Sequence, residues 1–82
     1  MSYFVYMLKS IEKHPVTYVG YTNNIKKRII THNAGKGAKF TRGRKWKLIY
    51  KEHFQSKNKA ISREYYIKKN RTFRKLIKET YK

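Results

Sequence analysis

Two short runs rich in aromatic and β-branched residues, Tyr3 to Lys9 and Val16 to Tyr21, stand on either side of a break that carries Pro15. Runs of this kind favour extended backbone, and the proline keeps them from merging into one element. They read as two paired strands. A different pattern follows: Ile25, Ile29 and Ile30 recur at helical spacing behind Thr22 or Asn23 as candidate cap, and Gly35 supplies a natural stop. Residues 35–45, GKGAKFTRGRK, are basic and glycine-punctuated without periodicity, so they are expected to form a loop. Trp46 to Phe54 reads as a third strand. Ser56 or Asn58 opens a second helix running to about Lys69, and Phe73, Leu76 and Ile77 mark a short third helix. The order ββαβαα does not alternate strictly, which predicts an α+β fold: a small three-stranded, largely antiparallel sheet flanked by helices. With 82 residues, 39% of them hydrophobic, the chain has material for one domain, 1–82, with a thin core.

Charge narrows the partner. Twenty-two Lys and Arg stand against four acidic residues, a formal net charge of +18. Such a density repels itself until phosphates neutralise it and release their counterions, so a nucleic acid is the expected partner. No basic amphipathic helix stands alone, which argues against a membrane surface. The chain lacks cysteine, so neither a disulfide framework nor a thiolate zinc site is available, and a cytoplasmic location is the default expectation. The apolar stretch Met1 to Leu8 has no basic segment before it and ends at Lys9, too short for a signal peptide or a membrane span.

Aspartate is absent, so an oxygen-ligand metal site must use Glu12, Glu52, Glu64 or Glu79. Glu64 sits mid-helix on one stripe with Ala60 and Ile67, which places its carboxylate on or beside the packed face. Either an ion pair with Arg63, Lys68 or a residue across the sheet, or a metal ion, accounts for a charge there. Arg28 and His32 are one helical turn apart and can face one substrate; a surface arginine and a core-edge histidine is the plainer account. Tyr6 and Tyr18 lie on the two N-terminal strands, where cross-strand packing explains a tyrosine pair. Lys36, Lys39, Arg42, Arg44 and Lys45 of the loop are candidates for successive phosphates. Phe40 has the chemistry to stack on an unpaired base, whereas Trp46, at a strand start, is expected in the core.

Together, Phe4-Val5-Tyr6, Tyr18-Val19-Gly20, Arg28, His32 and Glu64 resemble the GIY-YIG nuclease family in order and spacing. His32-Asn33, Gly35, Gly37-Ala38-Lys39, Thr41-Arg42 and the segment Ala60 to Lys68 extend the likeness to the small single-domain bacterial members over nearly the whole chain. Phe4 stands in place of the first glycine of the eponymous motif, Val19 in place of isoleucine, and Trp46 where those members often carry proline. The resemblance implies a DNA endonuclease dependent on Mg²⁺ or Mn²⁺, structure-directed or weakly sequence-specific, serving repair or recombination and targeted by a protein partner. Glu64 would hold the metal, Arg28 would stabilise charge on the phosphoryl oxygens, and Tyr6 and His32 would position water and phosphate. Tyr18 would be the general base; His32 as base with Tyr18 orienting water is the alternative. RNA is the alternative substrate, and a catalytically weak DNA- or RNA-binding module, or a basic accessory protein of a ribosome or repair assembly, is the alternative function.

Overall fold

The computed structural model describes residues 2–80; Met1, where the N-terminal apolar stretch begins, and Tyr81 and Lys82 lie outside the described residues. Its strands are β1 (Tyr3–Ser10), β2 (Thr17–Thr22) and β3 (Trp46–Phe54), and its helices α1 (Ile25–Asn33), α2 (Lys57–Lys69) and α3 (Arg71–Thr80), in the expected order. The sheet order is β2-β1-β3 with both pairings antiparallel. Ser10 closes the β1–β2 hairpin twice: its N–H donates to the Val16 carbonyl at 2.9 Å, and its Oγ accepts from the Val16 N–H at 2.9 Å.

As the central strand, β1 is covered on both faces, so Val5, Tyr6, Met7 and Leu8 are all buried. Val5 and Met7 pack with Val19, Ile49, Ala60 and Ile67 on the face closed by α2 and α3. Tyr6 and Leu8 pack with Trp46 on the opposite face, closed by Ile25 and Ile29 of α1. The β1–β3 register slips between Met7 and Leu8, where Met7 pairs with Tyr50 and Leu8 with Leu48. This bulge lets Ile49 and Tyr50 join the same core.

Three helix details differ from the sequence reading. The cap of α1 is Asn24, whose side chain accepts from the Lys27 N–H at 3.0 Å, because the Thr22 hydroxyl is engaged by the Asn24 N–H at 3.2 Å. Ile30 is 65% exposed and Leu76 61% exposed, so neither belongs to the core stripe of its helix. The loop is not wholly irregular, since Lys39–Thr41 forms one 3-10 turn. The stop at Gly35 is as expected: with φ +77, its N–H reaches the His32 carbonyl and the Lys36 N–H the Thr31 carbonyl, a Schellman closure. Ser56 caps α2, and Asn70 separates α2 from α3, its Oδ1 accepting from the Phe73 N–H at 2.9 Å.

Candidate active site

Strand register sets the two tyrosines. Tyr6 is directly opposite Gly20, and Leu8 is opposite Tyr18, so Tyr6 and Tyr18 are diagonal neighbours on one face with ring centroids 6.4 Å apart. Gly20 makes this possible: a Cβ there would lie 2.5 Å from the Tyr6 hydroxyl and 3.1 Å from the Tyr18 ring. The space left open is part of a cleft of about 510 Å³ whose walls include Tyr6, Tyr18, Gly20, Arg28, Lys57 and Glu64.

From α1, the fully buried His32 reaches the same tyrosines. Its ring lies 5.0 Å from that of Tyr18, and its Nε2 is 2.8 Å from the Tyr6 hydroxyl. Its Nδ1 is 3.0 Å from Thr41 Oγ1, and that hydroxyl donates its single proton to the Ala38 carbonyl at 2.8 Å. Thr41 Oγ1 can therefore only accept from His32. The proton of neutral His32 is thus on Nδ1, Nε2 is an acceptor, and Tyr6 donates to it. Burial first, and the Arg28 charge second, lower the His32 pKa and favour this neutral form. Gly37 lets the loop close over the ring, since a Cβ there would lie 2.2 Å from Nδ1.

Arg28 completes the chain by donating from Nε to the Tyr6 oxygen at 3.5 Å, a contact that raises its own pKa and keeps it a fixed cation. Burial pushes the Tyr6 phenol up to about 12 against the opposing pull of Arg28, so Tyr6 stays protonated at neutral pH. With its proton committed to His32 and its oxygen facing Arg28, Tyr6 holds the arginine in place. His32, with both nitrogens in use, has no free lone pair to offer a water molecule.

Glu64 joins the cleft wall from α2 with its side chain 18% exposed, and its carboxylate is 3.7 Å from the Lys68 ammonium. Of the ion-pair partners offered for Glu64, Lys68 is the one found and Arg63 is engaged elsewhere, in a two-point ion pair with Glu52 at 2.9 and 3.0 Å. Among the described residues no three His, Asp or Glu side chains gather as a metal cage, and Glu64 is the single carboxylate on the cleft. That donor set fits a hard, largely hydrated divalent ion, because Mg²⁺ keeps several waters and takes one or two carboxylates plus phosphate oxygens.

The five loop cations do not line this cleft. Lys36, Lys39, Arg42 and Lys45 are exposed, whereas Arg44 is half-buried, 3.8 Å from Glu12 and with its guanidinium over the Phe40 ring. Trp46 is buried and donates from its indole N–H to the Thr41 carbonyl at 3.0 Å, which leaves it unable to stack on a base. The sequence reading missed Lys57 on the cleft wall and the part played by Thr41. Thr41 is nine positions from His32 across an irregular loop, and no periodicity links the two.

Comparison with known proteins shows the family of the chain. The GIY-YIG catalytic domain matches residues 2–78. A UPF0213 protein of Clostridium perfringens is 57% identical over 67 residues, 80% of this chain and 70% of that protein. A UPF0213 protein of Staphylococcus haemolyticus is 51% identical over 67 residues, 80% of this chain and 79% of the relative. The solution NMR structure of a UPF0213 protein from Bacillus halodurans superposes with a TM-score of 0.57 at 36% identity, covering 98% of this chain and 85% of the other. By both the match over residues 2–78 and these relatives, the chain belongs to the GIY-YIG family, alongside its small bacterial UPF0213 proteins.

Proposed function

We propose that this chain is a metal-dependent endonuclease that hydrolyses DNA phosphodiester bonds, structure-directed or weakly sequence-specific, in DNA repair or recombination. One observation carries the proposal: Tyr6 from β1, Tyr18 from β2, Arg28 from α1 and Glu64 from α2 line one cleft, with His32 behind Tyr6. Phosphoryl transfer asks chiefly for positioning and for positive charge where negative charge grows. Arg28, fixed by Tyr6, places a permanent cation against the phosphoryl oxygens. Tyr18, whose hydroxyl is not committed to His32, is the candidate base that takes the proton of the attacking water. His32 and Thr41 hold Tyr6 and do not exchange protons with the substrate. Glu64 would hold Mg²⁺ or Mn²⁺, which supplies charge at the scissile phosphate when bound.

The test is incubation of labelled branched, flapped, single-stranded and duplex DNAs with Mg²⁺, Mn²⁺ or EDTA. Cleavage is expected with metal and none in EDTA. Arg28→Ala should lower the rate on bound DNA by about 10²–10³-fold, as loss of one transition-state donor does. It should leave affinity nearly intact, since it removes one of 22 cations. Glu64→Gln should abolish metal-dependent turnover and keep DNA binding. Absence of cleavage on every substrate, or equal loss of affinity and turnover in Arg28→Ala, would overturn the proposal.

A further inference from the structure

Beside the cleft, and sharing Tyr18 with it as a common wall, runs a second groove of about 640 Å³. One side carries Lys68, Arg71, Arg74 and Lys78, spaced as a single basic stripe across the joint between α2 and α3; the other carries Tyr18 and Phe40. Arg74 is occupied in holding the end of α2, donating to the Ile67 carbonyl at 3.0 Å and to that of Lys68. Lys68 stands between the two sites, paired with Glu64 and with its ammonium 5.9 Å from the Tyr18 ring centroid. Phe40 stacks on Tyr18 at 6.4 Å with an interplanar angle of 21°, yet it is 52% exposed, unusual for a phenylalanine flanked by Tyr18, Trp46 and Arg44.

A groove with cations on one wall and, on the other, a half-exposed aromatic ring with the Arg44 guanidinium over it is the arrangement that holds an unpaired strand, its phosphates on the cations and a base stacked with the ring. A duplex cannot use it in this way, because its bases are already stacked on one another. We propose that this groove binds an unpaired strand of the nucleic acid whose scissile phosphate lies in the neighbouring cleft, with Phe40 as stacking platform and Arg71, Lys78 and Lys68 as phosphate contacts. The assignment rests on the nuclease proposal for the identity of the cleft, but the groove's binding is measured without turnover.

Fluorescence anisotropy in EDTA compares a blunt duplex with the same duplex carrying a single-stranded overhang of roughly 8 nucleotides. Phe40→Ala should weaken overhang binding by about tenfold and change blunt-duplex binding by less than about twofold, and Phe40→Trp should retain the wild-type affinity. Arg71→Gln/Lys78→Gln, two changes at residues outside both core clusters, should lower the salt slope for the overhang by about 1.4 and leave that for the blunt duplex unchanged. Equal effects on the two DNAs, or none on either, would overturn the groove assignment. If Phe40→Ala selectively loses overhang binding while the wild type cleaves nothing in Mg²⁺, the groove stands and the nuclease proposal fails. If the wild type cleaves while Phe40→Ala binds the overhang with unchanged affinity, the nuclease proposal stands and the groove assignment fails.

Discussion

Thr41 decides which nitrogen of His32 carries the proton, because its own proton is spent on the Ala38 carbonyl. Neutral His32 then accepts from Tyr6. Protonating His32 would bury a charge and set a second cation beside Arg28, so burial first and Arg28 second lower its pKa. A histidine whose folded value lies below its unfolded value of about 6.5 contributes stability that is complete above that pH and is lost as pH falls below it. The melting temperature should therefore decline below about pH 6.5, and His32→Gln should flatten that decline; parallel slopes in the two proteins would place the acid sensitivity elsewhere. At this scale the sequence was informative about residue identities and silent about hydrogen-bond direction. Tyr6, Tyr18, Arg28, His32 and Glu64 could be picked out by resemblance to a family. The close approach that requires glycine at 20 and 37 depends on where side chains from other elements arrive, which no local pattern encodes.

Among the elements, α2 and α3 are kept apart by one side chain. The backbone of Asn70 leaves helical geometry (φ −99, ψ 89), and its Oδ1 caps the Phe73 N–H. Asn70→Ala should cost about 1 kcal/mol, lowering the melting temperature by roughly 4–8 °C for a chain of this size. A change of less than about 1 °C would show that the Asn70 cap contributes little. Strands and helices were legible because hydrophobic period and breakers coincide: Pro15 lies in the hairpin break, and Gly35 closes α1. Helix faces were less so. The inward positions of α1 are Ile25, Ile29 and the buried His32, spaced by four and three, and Ile30 lies about 100° beyond Ile29 at the edge of that stripe. A polar residue in the core position made the exposed isoleucine look like the better candidate. Likewise Phe73 and Ile77 pack on the sheet, and Leu76, between them, faces out.

For the molecule as a whole, the ion pairs of Glu12, Glu52 and Glu64 with Arg44, Arg63 and Lys68 engage three of the 22 cations and leave the net charge of +18 for a polyanion to neutralise. Affinity for duplex DNA should thus fall by orders of magnitude between roughly 50 and 200 mM salt if several phosphates are contacted. A nearly flat salt dependence would remove the electrostatic account. Its longest dimension, 36 Å, limits the duplex it can cover to about one helical turn. The central position of β1 also has a consequence in time. Its partner β2 follows after a short hairpin break, whereas β3 arrives only after α1 and the basic loop. The entropy lost in closing a loop rises with its length, so the hairpin is expected to form before β3 docks. Stopped-flow chevrons should show Val19→Ala slowing folding and Ile49→Ala chiefly accelerating unfolding; the opposite partition would reverse the order. Tyr6 and Tyr18 then meet early, and the carboxylate of Glu64 reaches them only when α2, added last of the elements that carry the site, settles on a hairpin already formed.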